Sequence, residues 1–332
     1  MNMTALKITA AGAAVVGWMA LSAFSPAAKK IELGLQTTGT AAWEIAAMHE
    51  AHIDAEHGIE IEVRDVANSG AGQVALQARE VDVILTDFVW TSIQRSEGAN
   101  FTFVPHSLAV GGLMVMPDGP VQSIADLDGA SIAIAGGPVD KSYVVLQAYY
   151  AAQTGGTLSD VIDAQFGAPP LVNELLLSGQ VGAALNFWHF NARATVDGAV
   201  ELISVADMLT ALGVERQPPL LGWVFSERWA NSHDAEIERF LEASFETKRA
   251  LLEDDALWEA IRPVMGEDLS DEMFISLRDA YRRGIVTSYG QEDIDAAAQS
   301  FALMAQYGGV ELVGDSTEIA EETFWDGFRV GG

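Results

Sequence analysis

Asp126-Leu127-Asp128-Gly129-Ala130-Ser131-Ile132-Ala133-Ile134-Ala135-Gly136-Gly137 reads as a short helical lead-in, a turn, an apolar strand, and a glycine loop that opens a helix. A strand that feeds a Gly-rich helix N-terminus presents backbone N–H groups to whatever occupies the crevice beyond it. Earlier in the chain, apolar strands also run into small-residue loops before helices, around Thr37 to Ala41 and Ser69 to Gly72. Two such halves facing each other would form a binding cleft.

At 332 residues the chain has room for two domains, each with its own core. Hydrophobic residues make up 49% and charged residues 20%, a balance that fits a folded protein without a long disordered tract. Acidic residues outnumber basic ones by 47 to 18, for a net charge of −29. Such a chain lacks the cations that replace phosphate counterions, so nucleic-acid binding is not expected, nor adhesion to anionic lipid. The chain contains no cysteine. Thiolate metal sites, disulfide scaffolds and cysteine nucleophiles are therefore excluded.

Met1 to Lys7 is weakly positive, Ile8 to Phe24 is uncharged and apolar, and Ser25-Pro26-Ala27-Ala28 supplies small residues suited to signal peptidase. This is a secretory leader over 1–28, with the mature chain starting near Lys29. The apolar run falls just short of the ~20 residues that span a bilayer. A periplasmic location follows as the expectation.

From residue 31 strands and helices alternate. Strands are expected at Ile31–Leu35, Ile59–Val66, Val81–Leu85 and Phe101–Pro105, with helices at 41–56, 72–79 and 87–96 between them. The apolar run Leu108 to Met116 carries the chain into a second unit. Its strands fall at Ser131–Ala135, Asp163–Phe166, Val181–Leu185 and Val200–Ile203, and its helices near 139–153, 170–178 and 187–196. Pro219 to Phe225 leads back, and amphipathic helices at 234–253, 270–283 and 291–307 close the chain. Strands separated by helices imply parallel pairing through right-handed crossovers.

Several marks in this order carry a family resemblance. They are Gly58-Ile59-Glu60-Ile61-Glu62-Val63 after the first helix, Ser69-Gly70 opening the second, Ala75-Leu76-Gln77-Ala78-Arg79-Glu80-Val81-Asp82-Val83, and the segment from Asp126 to Ala135. The chain resembles the periplasmic substrate-binding proteins of ABC importers, of the nitrate/taurine/sulfonate type related to thiamine-pyrimidine-binding proteins. The family usually has glycine where this chain has Arg79. The resemblance implies an α/β, two-domain type II periplasmic-binding-protein fold: lobe 1 from 29–112 and 223–332, lobe 2 from 113–222, and two extended crossovers as hinge. Fungal relatives that build the thiamine pyrimidine use a cysteine-rich motif, which a cysteine-free chain cannot supply.

In a doubly wound sheet the ligand sits beyond the carboxyl ends of the strands. That rule selects Thr37, Thr38, Thr40 and Trp43 after the first strand, Asn68, Ser69 and Gly70 after the second, and Asp87 and Trp90 after the third. From the second unit it selects Gly137, Lys141, Ser142 and Tyr143, then Asn186, Trp188 and His189; Trp223 lies on the return crossover. Four of eight tryptophans occupy these positions, where a large ring implies a flat or apolar partner unless it plugs a gap. Lys141 is the only lysine between residues 31 and 247. It is either solvent-facing or the partner of an acidic ligand group. Asp87 and Asp140 each read as helix N-caps, and Asp87 also as an acceptor for an amine or heterocycle N–H. His49 and His52 share a helix face but serve equally as its polar side, so no metal is expected.

No nucleophile elbow, Walker loop, dinucleotide fingerprint or zincin motif is present. The sequence therefore points to a monomeric, cofactor-free receptor. It would trap a small organic solute, flat or heterocyclic by its tryptophans, and pass it to an inner-membrane ABC permease. A small anion such as taurine or a sulfonate, an enzyme on the same bilobal frame, and a sensor subunit are the alternatives.

Overall fold

A computed structural model describes residues 29–36 and 39–331. The leader over 1–28 and the threonines at 37 and 38 lie outside the described residues. Among those described, ten strands form two five-stranded sheets. They are β1 (Lys29–Gln36), β2 (Ile59–Val66), β3 (Val83–Asp87), β4 (Phe101–Ser107), β5 (Gly112–Val115), β6 (Ser131–Ala135), β7 (Asp163–Gly167), β8 (Ala183–Asn186), β9 (Val200–Ser204) and β10 (Leu221–Ser226).

The first sheet has the order β2-β1-β3-β10-β4 and the second β7-β6-β8-β5-β9. β1 is parallel to both neighbours, with Leu33 opposite Val63 and Val83. β6 is its counterpart, with Ile132 opposite Ala164 and Ala183. Each sheet is completed by one antiparallel strand that has just arrived from the other lobe, β5 between β8 and β9 and β10 between β3 and β4. The two lobes are therefore mutually interlocked by the chain crossings β4 to β5 and β9 to β10.

Burial follows strand position. The interior strands β5 and β8 and the apolar centre of β6 are buried along nearly their whole length, as is β4, an edge strand covered by the end of the chain, whereas the uncovered edge strands β2 and β7 leave nearly every residue at least partly exposed. Helices covering both faces of a parallel sheet produce this contrast, and it explains why β6 reads as a continuous apolar run. The first crossing leaves no room for side chains at Gly111, where a Cβ would lie 1.7 Å from the Asn186 carbonyl oxygen.

Besides the one-turn helices Leu158–Val161, Glu227–Ala230 and Val310–Val313, which the sequence reading did not expect, the structure departs from it in three places. The helix expected over 41–56 is interrupted, because His52 adopts a left-handed conformation (φ 59°) and divides it into Ala41–Glu50 and Ile53–Glu56. An additional helix, Asp255–Met265, follows the long helix Asp234–Glu253 after a single extended residue, Asp254, whose carboxylate caps it. Pro263 inside it removes a backbone donor and obscures it in the sequence. A third, Val205–Ala211, lies on the return path and is capped by Ser204. Arg79 ends the helix Ser69–Ala78 in the left-handed region at φ 61°, which accounts for the family's glycine there.

Two C-terminal helices touch helices of the second sheet. Asp271–Arg283 packs on Trp188–Val196 and Gln291–Gly308 on Lys141–Thr154, whereas Asp255–Met265 packs on Ala41–Glu50. The chain end covers the free edge of β4, with Phe103 N–H donating to the Thr323 carbonyl at 2.8 Å.

Candidate functional site

A cavity of about 410 Å³ lies between the lobes at the carboxyl ends of the parallel strands. Five helices begin there: Ala41–Glu50, Ser69–Ala78, Phe88–Ser96, Lys141–Thr154 and Trp188–Val196. Ala109, Val110 and Gly111, on the crossing from β4 to β5, and Leu220 and Leu221, on the way back into β10, also line it.

One wall is ionic. Asp87 caps its helix through Oδ1, which accepts from the Trp90 N–H at 2.9 Å, and its Oδ2 stands 3.2 Å from Lys141 Nζ on the opposite lobe. Asp140 caps the Lys141 helix, accepting from the N–H groups of Ser142 and Tyr143 at 2.9 and 3.4 Å. Burial alone would lower the pKa of Lys141. The carboxylates of Asp87 and Asp140 outweigh it and hold the ammonium above the ordinary lysine value. Burial raises Asp140, against the opposing pull of Lys141.

The other wall is aromatic. Trp188 meets Trp43 edge-to-face at 6.0 Å across the lobes, and both rings touch Tyr281. Trp258 closes the group behind Trp43 at 6.5 Å. Next to Trp188, His189 lines the cavity with its Nδ1 buried and without a hydrogen-bond partner among the described residues. Burial, helped by the Arg193 charge, lowers its pKa to about 4, so the ring is neutral at pH 7.

Beneath the helix Ala41–Glu50 lies a charged network sealed from solvent. Lys248 Nζ contacts both carboxylate oxygens of Glu44, at 2.9 and 2.8 Å, and Ser244 Oγ at 2.7 Å. Ser244 donates to Glu44 at 2.6 Å and accepts from the Trp223 indole N–H at 3.0 Å, and Tyr281 OH stands 3.4 Å from the same carboxylate. Burial pushes Lys248 down against the pull of Glu44, and burial plus the Lys248 charge push His106 well down. The network ties the first cleft helix to β4, β10 and the helices Asp234–Glu253 and Asp271–Arg283.

Of the residues selected from the sequence, Thr40, Ser69, Asp87, Lys141, Ser142, Trp188 and His189 line the cavity, whereas Asn68, which caps the helix Ser69–Ala78, and Gly137 lie outside the lining. Lys141 is not solvent-facing; its side chain is 28% exposed and paired with Asp87. Gly70 follows Ser69 in the first turn of its helix, outside the lining. Trp43 and Tyr143 are buried behind it, Tyr143 against Phe166. Trp90 stacks on Phe101 at 5.4 Å. Asn186 is buried, bonded to Pro169, Asn173 and the Phe187 N–H. Trp223 is fully buried in the core, and Thr38 lies outside the described residues. His49 pairs with Asp54 and His57 with Glu246, so these histidines have separate partners. The sequence reading missed the residues of the two chain crossings, which carry no chemical signature. It also missed Glu44 with Lys248; the signal was a lone lysine on the buried side of an amphipathic helix.

Residues 55–254 match the family model described as NMT1/THI5 like. The chain belongs to the NMT1/THI5-like family. No curated protein matches its sequence. Among solved structures, this NMT1/THI5-like protein is similar to the periplasmic aliphatic sulphonate binding protein SsuA from Escherichia coli. The TM-score is 0.70 at 17% identity, over 90% of this chain and 97% of that one. It is also similar to the alkanesulfonate-binding protein SsuA from Xanthomonas axonopodis pv. citri bound to MOPS, at a TM-score of 0.66 and 17% identity over 90% and 98% of the chains. A Candida albicans protein described as having the generic periplasmic binding protein fold matches at 0.55 and 14% identity, over 84% and 90%. At these identities the likeness establishes the fold: two α/β lobes of the periplasmic-binding-protein type.

Proposed function

We propose that this NMT1/THI5-like protein is the solute-binding component of an ABC importer, capturing a small organic solute between its lobes. The observation that carries this reading is the cavity itself. It lies where open α/β sheets bind ligands, it is bounded by both lobes, and its about 410 Å³ suits a small molecule. Its aromatic wall favours a flat or partly apolar body, as the tryptophans of the sequence suggest. The role is binding without turnover. Among the described residues that line the cavity there is no nucleophile activated by a paired base, and the solved structures named above carry the names of binding proteins.

In this reading the chain divides into lobe 1 (29–112 and 223–332) and lobe 2 (113–222), hinged where β4 passes to β5 and β9 returns to β10. The leader-like sequence over 1–28 supports a periplasmic location, and the receptor acts as a monomer that docks on its permease after closure. The test is a thermal-shift screen of the purified protein after unfolding and refolding to strip co-purified solute. The panel spans heterocycles, aromatic acids, sulfonates, amines and inorganic anions. A true ligand at a hundredfold excess over Kd adds about 2.7 kcal/mol, or several degrees. Recovery of the compound unchanged supports a receptor, and its conversion contradicts one.

A further inference from the structure

We propose that the interlobe cavity selects a neutral or cationic solute that presents an N–H-donating nitrogen to Asp87, and turns away solutes whose charge is a lone strong acid. This rests on the solute-binding reading above and concerns the same cavity. Its charge inventory is short. Among the described residues lining it, only Asp87, Asp140 and Lys141 carry charge, since the buried His189 ring is neutral at pH 7. Two carboxylates face one ammonium, so the lining has an excess of one negative charge.

The ammonium is also not free. Lys141 stands 3.2 Å from Asp87 and next to Asp140 in the chain. A sulfonate approaching Lys141 would have to displace Asp87 and then sit against two carboxylates in a partly desolvated cleft, where like charges repel strongly. The helix N-termini do not reverse this. Asp87, Asp140 and Asn68 cap three of the five with side-chain oxygens, each already accepting from one or two of the N–H groups that would attract an anion.

Asp87 is placed to read a donor. Its Oδ1 is fixed by the Trp90 N–H, which leaves Oδ2 facing the opposite lobe. A solute N–H or N–H⁺ that exchanges with Lys141 on Oδ2 keeps the carboxylate paired throughout closure. At the other wall, the helices beginning at Ala41 and Trp188 have no side-chain cap on their first turn from Thr40 or Phe187. Ring nitrogens or carbonyls of the same solute are the acceptors suited to them. The arrangement describes an amidine, an amine or an amino-substituted heterocycle with a flat body against Trp188.

Probes matched pairwise on one ring skeleton test this in the full protein: benzamidine against benzenesulfonate, and 2-aminopyrimidine against pyrimidine-2-sulfonate, by thermal shift and calorimetry. The expected result is larger stabilisation by the N–H-donating member of each pair. Asp87→Asn keeps a competent N-cap, so the helix survives. It should weaken benzamidine by about tenfold or more, the loss of one hydrogen bond to a charged group. Lys141→Met removes the competitor for Asp87 and should strengthen benzamidine binding, whereas a lysine that served only to latch the lobes would weaken it on removal. Equal or absent shifts within both pairs, a preference for the acids, or an unchanged benzamidine affinity in Asp87→Asn overturns the proposal. A preference for the acids leaves the receptor reading standing; silence across the whole solute screen removes both.

Discussion

Glu44 and Lys248, 204 residues apart in sequence, form an ion pair at 2.8 Å with neither side chain exposed by more than 2%. Removing both charges from water is costly, and only the close geometry and the added bonds from Ser244 and Tyr281 make the pair tolerable. The pair anchors the helix whose first turn lines the cavity. Truncating one partner leaves a buried charge uncompensated. Lys248→Met should therefore lower stability by about 3–5 kcal/mol, read from the urea midpoint at constant slope. A loss below about 1 kcal/mol would show that water reaches Glu44.

The conformation of Arg79 predicts a stabilising change. An L side chain in the left-handed region costs roughly 1 kcal/mol, and glycine relieves it, less the entropy glycine adds to the unfolded chain. Arg79→Gly should raise stability by up to about 0.5 kcal/mol in urea titration. Arg79→Ala should not.

The first chain crossing is intolerant of volume. Gly111→Ala would place a methyl group against the Asn186 backbone at the start of the Trp188 helix. We expect about 1–3 kcal/mol of destabilisation in urea titration, together with weaker binding of any identified solute, since Gly111 and Phe187 both line the cavity.

Acid should weaken the aromatic wall first. Burial, with the Arg193 charge, holds the pKa of His189 at about 4 in the folded protein, against an ordinary histidine value of 6.5. A histidine whose folded-state pKa lies below its unfolded value takes up its proton mainly on unfolding. Its contribution is thus complete above 6.5 and drains as pH falls toward about 4. Urea midpoints measured between pH 7 and pH 4.5 should fall more steeply in the wild type than in His189→Gln. Parallel profiles would mean that water already reaches Nδ1.

The alternation of apolar runs and small-residue loops made both sheets legible, because buried parallel strands such as Ser131–Ala135 must be apolar on both faces. The same alternation placed Asp87, Lys141, Ser142 and Trp188 at the cavity, since the ends of such strands define the crevice. Side-chain direction was not legible. Trp43 and Trp90 follow strand ends just as Trp188 does, and Trp223 lies inside the return strand β10. Trp90 turns onto Phe101, Trp223 bonds to Ser244, and Trp43 backs Trp188 instead of facing the cavity. The break at His52 and the helix carrying Pro263 were hidden because tertiary packing overrides local preference. The ionic wall was half visible. Asp87 was readable as a cap, but its pairing with Lys141 depends on how two lobes meet, which local pattern does not encode.

Capture by closure is most directly tested through the distance between lobes. The chain has no cysteine, so Val74→Cys and Leu171→Cys, both at exposed positions on helices of opposite lobes, can be labelled cleanly for energy transfer. Adding a solute identified by thermal shift should shorten the mean distance between the labels, saturating at the calorimetric Kd, with the solute recovered intact. A solute that binds tightly while the distribution of distances stays unchanged would contradict the account.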